Sequence, residues 1–236
     1  MKTLQQIKSA ITNYPMPFGL KSSYGVVYGW TLHEQRYMPE QETIDFFTKH
    51  LTKEDTVADI GANIGLYTLL FAHHAKNVVS FEPSPAAFKR LRKATKKLPN
   101  IELHNVGIFS KEDRLKLYYA RPGDPMGSMM YARSDTFVEV PVYPLAHFGT
   151  NFTWAKIDVE GAEIEVLKGM GKRIPAVLEV ARGILETYQG GIQKFFSEIE
   201  LLGYSIHFIT AGGNTIPYMH GDMSPLVNNI YIKPTV

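Results

Sequence analysis

Cysteine is absent from all 236 residues, which excludes disulfides, cysteine-ligated zinc, iron–sulfur clusters and thiol nucleophiles. That absence fits a reducing compartment, and a soluble cytoplasmic protein is the expectation. Long apolar runs are also lacking. No stretch of about twenty consecutive apolar residues occurs, so no spanning helix is expected. The opening Met1–Lys8 mixes polar residues where a signal peptide needs an apolar run. Charge of one sign is missing too: Lys+Arg 25 and Asp+Glu 23 leave a formal net charge of +2. Nothing in that balance demands nucleic acid or an anionic membrane. What is present is ordinary globular composition, 44% hydrophobic and 20% charged, unlike a disordered chain, a collagen or a coiled coil. The length suits one good core.

The chain reads as a β/α alternation. Residues 1–39 form an N-terminal extension, a short amphipathic segment cut off by Pro15 and Pro17, which is a candidate cap over a site. Residues 40–236 make the domain, beginning with a helix that carries Ile44, Phe47 and Leu51 on one face. Strands are expected at Thr56–Ile60, Asn77–Phe81, Ile101–Val106, Trp154–Asp158, Ala176–Val180, Tyr204–Ile209 and Asn229–Lys233. Helices lie between the first and second, second and third, fourth and fifth, and fifth and sixth of these, and Ser84 with Pro85 marks one helix start. Leu115–Tyr119 and Phe137–Val142 alternate like a half-buried hairpin inserted after the third strand. The pattern implies an α/β fold, a three-layer α/β/α sandwich around a mainly parallel seven-stranded sheet.

The sharpest chemical signal is Asp59-Ile60-Gly61-Ala62-Asn63-Ile64-Gly65, a strand running through a glycine turn into a helix. Glycine admits close backbone approach, and a helix start presents free N–H groups. Glu82 follows 21 residues after Gly61, at the tip of the next strand. A carboxylate at that distance suits ribose hydroxyls in doubly wound sheets. The G-x-x-x-G spacing places Asn63 where a dinucleotide fingerprint needs its middle glycine, and no Gly-Lys-Ser/Thr ends a P-loop. A nucleoside without pyrophosphate remains, which points to S-adenosylmethionine.

Asp59–Thr68, Phe81-Glu82-Pro83, Lys156-Ile157-Asp158-Val159-Glu160-Gly161-Ala162-Glu163 and Pro175–Glu179 together resemble the FkbM-type S-adenosylmethionine-dependent methyltransferases. The resemblance runs from about Glu40 to about Val180. It implies a class I Rossmann-like fold and methyl transfer to a hydroxyl oxygen, with S-adenosylhomocysteine as product. It also implies that Asp59, Gly61, Asn63 and Gly65 surround the methionine part of the cofactor and that Glu82 holds the ribose. Ala62, Thr68, Pro83, Asn105, Val106 and Asp158 complete the expected cofactor shell. An active-site role for Glu40 is suggested by the same resemblance.

Ligands of open α/β sheets sit beyond the carboxyl ends of the strands, so Asp59, Glu82, Asp158 and Glu179 should converge on one rim. A hydroxyl nucleophile must lose its proton, and Asp158 is the first choice for base or substrate orienter, with Glu179 and Glu160 next. Glu160 and Glu163 also suit the start of the short helix after Gly161. No metal site is required, although Asp158 with Glu179 offers oxygen ligands for a divalent cation. Lys89, Arg90, Arg92, Lys93, Lys96 and Lys97 make one helix basic, read as a solvated face that lacks aromatic interleaving for nucleic acid. His73 and His74 suit a helix end, while His33, His147, His207 and His220 show no metal-ligand spacing. Gly123–Met130 reads either as a lid over substrate or as a surface loop. The expected partner is a small-molecule or glycan hydroxyl acceptor. Alternatives are RNA methylation, a non-catalytic binding protein and a nicotinamide-dependent oxidoreductase.

Overall fold

The computed structural model describes residues 41–119, 127–130, 135–180, 190–220 and 229–235. The expected 1–39 extension with His33, residue Glu40 and the 123–126 part of the Gly123–Met130 loop lie outside the described residues. The first helix, α1 (Gln41–His50), buries Phe46 and Phe47. Five strands then pair in parallel: β1 (Thr56–Ile60), β2 (Asn77–Phe81), β3 (Ile101–His104), β8 (Trp154–Ile157) and β9 (Ala176–Glu179). Between them run α2 (Leu66–His74), α3 (Pro85–Thr95) and α4 (Glu163–Lys168), and α5 (Ile192–Leu201) follows β9. The chain closes with β10 (Tyr204–Thr210), β11 (Asn214–Pro217) and β12 (Asn229–Pro234).

The sheet runs β11-β10-β12-β9-β8-β1-β2-β3, eight strands rather than the seven read from the sequence. The extra strand is β11, which folds back antiparallel on β10 and takes one edge. Its residues Asn214-Thr215-Ile216-Pro217 are mostly exposed, so no apolar pattern announces them. The antiparallel partners of β12 are β9 and β10, which puts the start of β12 at the same rim as the end of β9. Strand β3 ends at His104 rather than Val106. There Asn105 Nδ2 bonds back to the carbonyls of Glu82 (2.8 Å) and Pro83 (3.2 Å), which turns the chain out of the sheet.

Side-chain alternation along the strands splits the core in two. Ala58, Ile60, Ala155, Ile157, Ala176 and Leu178 face α4 and α5, with Ile164, Val166, Leu167, Phe195 and Phe196 against them. Val57, Val78 and Val177 face the other way, against Phe46, Phe47, Tyr67, Leu70 and Phe71. Helix layers on both faces make a three-layer, Rossmann-like α/β/α architecture. The inserted hairpin of β5 (Asp113–Tyr119) and β7 (Phe137–Tyr143) is widened by the two-residue strands β4 (Gly107–Ile108) and β6 (Gly127–Ser128) into a separate four-stranded sheet.

Candidate active site

The glycine turn after β1 is held from three sides. Gly61 and Ala62 both donate N–H bonds to the Phe81 carbonyl at the end of β2, at 2.9 and 3.1 Å. Asp158 N–H continues the ladder by donating to the Ile60 carbonyl at 3.0 Å. Gly61 has φ 81° and Gly65 φ 98°, the left-handed region that glycine enters freely. The glycines serve strand–helix packing rather than leaving open space for a ligand. A β-carbon at Gly61 would strike the Asp158 carbonyl, and one at Gly65 would strike Leu91.

Glu82 is buried and already accepts two backbone bonds, from Asn63 N–H and Ser84 N–H, both at 2.7 Å. It therefore ties the tip of β2 to the glycine turn. Burial pushes its carboxyl up to about 8; the two N–H donors oppose that rise, and the charges of Asp158 and Asp59 add to it. Asp59 is buried as well, accepts from Thr68 Oγ1 in the first turn of α2, and is raised by burial to about 6. Thr68 also contacts Ser80 Oγ at 3.1 Å, so it anchors α2 to β1 and β2. Ala62 is buried and Pro83 half-buried, and Val106 packs at the margin of the main core.

Period-two alternation places Asp59, Lys156 and Val177 on one sheet face. The register sets Asp59 beside Lys156 on one side and Val177 on the other. Two residues on, Asp158 and Glu179 share that face just at and beyond the strand ends. Lys156 is buried, and its Nζ lies 2.8 Å from Asp158 Oδ2 and 4.6 Å from the centre of the Tyr67 ring. Asp158 keeps 29% of its side chain exposed, the face from which a second molecule can reach it. Burial pushes the Asp158 carboxyl up, but the Lys156 charge and hydrogen bonds to Glu179 and Lys156 outweigh it and hold the group below the usual range. Glu179 moves well above the usual range, through the neighbouring Asp158 charge first and then burial.

Glu163 is buried and closes the turn ahead of α4. Its Oε1 accepts from Val159 N–H (3.3 Å) and Gly161 N–H (3.2 Å), and burial raises it to about 7. Glu160 takes φ 54° in that turn, and its carbonyl accepts from Ser128 Oγ of the insert at 3.0 Å. Tyr119 Oη of the insert donates to Ser84 Oγ at 3.3 Å. The small sheet therefore touches both the Glu82 loop and the Glu160 turn.

The structure thus gathers Asp59, Glu82, Asp158, Glu163 and Glu179 into one electrostatically connected group, with Glu160 at its edge. Among the described residues no group of three or more His, Asp or Glu is arranged to hold a metal ion. The Asp158–Glu179 pair does not fit a divalent cation, because the Lys156 ammonium already neutralises it at bonding distance. Of the described candidates, His147 packs against Tyr143 and Phe148, His207 against Tyr231, and His220 lies near Glu200. On α3 and the turn after it, Lys89, Arg92, Lys93, Lys96 and Lys97 are exposed around buried Ala87, Leu91 and Thr95, a solvated face. No helix among the described residues is long and apolar enough to cross a membrane.

Sequence reasoning overlooked Lys156 and Asn229. A lysine inside the short buried run Trp154-Ala155-Lys156-Ile157 was the available signal, since buried charge needs a partner. Asn229 pairs with Glu179 across the register and is buried, with no hydrogen-bond partner for its Oδ1 among the described residues. Nothing in its local sequence distinguishes it.

Residues 59–206 match the methyltransferase FkbM domain family. The hexuronic acid methyltransferase AglP of Haloferax volcanii is 29% identical over 186 residues, covering 73% of either chain. Methyltransferase 1 of Beauveria bassiana is 29% identical over 149 residues, 48% of this chain and 57% of the relative. Among solved structures, an rRNA methylase from Streptococcus thermophilus aligns with TM-score 0.44 and 15% identity, over 86% of this chain and 100% of its own. A ribosomal protein L11 methylase from Lactobacillus delbrueckii subsp. bulgaricus aligns with TM-score 0.49 and 10% identity, over 83% and 77%.

Proposed function

The chain belongs to the FkbM methyltransferase family, and on that premise we propose that it is an S-adenosylmethionine-dependent O-methyltransferase acting on a hydroxyl of a sugar or glycan. The observation that carries this reading is the group of buried acids around the glycine turn, Asp59, Glu82 and Glu163, with Glu82 bonded to the turn's own backbone at Asn63. A site that disfavours its own negative charge suits a cationic ligand, which keeps those acids ionised. The cofactor's sulfonium, amino group and ribose hydroxyls match this donor and acceptor set. S-adenosylmethionine, when bound, supplies an activated methyl group on sulfur.

The chain's own residues have distinct tasks. Glu82 has two oxygens each engaged by one backbone N–H, and a carboxylate has further lone pairs for the ribose hydroxyls. Asp59, Gly61, Ala62, Asn63, Gly65 and Thr68 shape the turn around the methionine part, and Pro83, Asn105 and Val106 border the base end. Asp158 presents its exposed side to the acceptor, orients its hydroxyl and takes its proton, with Glu179 and Glu160 flanking it. The hexuronic acid specificity named for the archaeal relative supports a carbohydrate acceptor.

Calorimetry with S-adenosylhomocysteine, followed by mass spectrometry of hexuronic acids and neutral hexoses incubated with protein and cofactor, tests the proposal. Binding that Glu82→Ala weakens at least about tenfold, and an added methyl on one sugar that Asp158→Asn abolishes, are the expected results. No binding at about 1 mM ligand, an affinity near −4 kcal/mol, overturns the cofactor reading. A methyl ester on the hexuronic acid carboxyl, or no methylated sugar at all, overturns the acceptor reading.

A further inference from the structure

Lys156 stands where strand physics argues against a lysine: in a parallel strand flanked on both sides, buried, with helix packing above it. A buried ammonium persists only where a charge and polar contacts compensate its lost hydration. Here the Tyr67 ring face lies 4.6 Å below Nζ and Asp158 Oδ2 2.8 Å ahead of it. Asp158 and Glu179 follow the Ile157–Leu178 pair on adjacent strands, so the two carboxyls are neighbours on one sheet face, and the Asp158 charge is the largest cause pushing the Glu179 carboxyl up. Two neighbouring carboxyls titrate as a pair, and a cation bound to one of them decides which keeps its proton to higher pH.

We propose that Lys156 is a positioning residue: pinned between Tyr67 and Asp158 Oδ2, it holds the pair's proton on Glu179 and leaves Asp158 bare to receive the acceptor's proton. The inference rests on the reading of Asp158 as the base. In the transfer step the acceptor's O–H bond breaks toward an Asp158 carboxylate oxygen while the acceptor oxygen bonds the methyl carbon. The electron pair of the broken carbon–sulfur bond stays on sulfur, so the proton is left on Asp158, whose exposed side returns it to solvent. Glu179 keeps its own proton throughout and cannot compete for the new one.

The charged and titratable groups around Asp158, among the described residues, are Lys156 on its own strand, Asp59 on β1 and Glu179 on β9. Glu82, Glu160 and Glu163 lie in the neighbouring loops and α4, and the Tyr67 hydroxyl is on α2. Only Lys156 contributes positive charge to that set, so its removal leaves Asp158 among like charges.

Carbon-13 NMR of aspartate- and glutamate-labelled full-length protein, with Asp158→Asn and Glu179→Gln as assignments, reads the proton directly. At pH 6 the wild-type spectrum should show Asp158 ionised and Glu179 protonated; the reverse overturns the proposal, even where the Lys156 variants fail to fold. In Lys156→Met the Asp158 midpoint should rise by at least about one pH unit, and the acidic limb of kcat/KM should rise with it. Its S-adenosylhomocysteine affinity should stay within about threefold. Lys156→Arg should restore part of the shift. An unmoved midpoint with an unmoved limb makes Lys156 merely structural and overturns the proposal. A moved midpoint in a protein that methylates no hydroxyl leaves the Lys156 assignment standing and overturns the function proposed above.

Discussion

Gly61 and Asp158 meet backbone to backbone: a β-carbon added at Gly61 would lie 1.8 Å from the Asp158 carbonyl oxygen. The turn that begins the cofactor loop and the strand end that carries the proposed base are therefore one mechanical unit. Any displacement of one moves the other. Gly61→Ala adds that clash to a φ of 81°, so a stability loss of at least about 2 kcal/mol is expected in urea unfolding. Affinity for S-adenosylhomocysteine should fall in step. A variant as stable as wild type would show that the strand ends can part without cost.

Glu82 links ligand binding to pH. Its carboxyl is raised to about 8, first by burial, while ribose hydroxyls need the ionised form as acceptor. Affinity for S-adenosylhomocysteine should therefore weaken as pH falls below 8, by about tenfold per unit. Calorimetry between pH 6 and 9 checks this, and Glu82→Gln should bind weakly at every pH with the dependence gone. A flat wild-type profile contradicts the assignment.

Glu163 makes the ligand-free fold pH-sensitive. Its folded value of about 7 lies above the ordinary 4.5, so the folded state holds the proton more tightly than the unfolded chain. The resulting contribution is complete below pH 4.5 and is lost as pH rises through 7. It amounts to at most about 3 kcal/mol. Glu163→Gln keeps an oxygen for the N–H groups of Val159 and Gly161 but cannot titrate. Its melting temperature should fall less steeply than that of wild type between pH 5 and 8. Equal slopes would remove Glu163 as the cause.

Ser128 joins the inserted sheet to the acceptor side, donating to the Glu160 carbonyl at 3.0 Å and accepting from Met130 N–H at 3.2 Å. Ser128→Ala should cost about 1 kcal/mol of stability. It should raise the acceptor KM severalfold and leave S-adenosylhomocysteine affinity unchanged. A change confined to cofactor affinity would place the insert on the other side of the site.

Local sequence determined a good deal. Apolar runs alternating with helical periods announced the parallel strands, and Ser84-Pro85 announced α3, where the Ser84 side chain caps Ala87 N–H. Ile192, Phe195, Phe196 and Ile199 announced the buried face of α5. The acids that gather at the rim were legible for the same reason: each ends or follows an apolar run, and strand ends are where ligands of such sheets lie. Edge strand β11 was not legible, because a short exposed strand has no core face to impose a pattern.

What only the tertiary structure decided is how those groups act on one another. Register set Lys156 beside Asp59 and behind Asp158, which gives carboxyls that look equivalent in the sequence different electrostatic surroundings. The two glycines that read as room for a ligand turned out to be room for a neighbouring strand and for Leu91. Asn105 holds the Glu82 loop by its backbone. Periodicity records which face a side chain takes. Charge, proton position and close approach depend on neighbours distant in the chain, and these exist only once the strands are aligned.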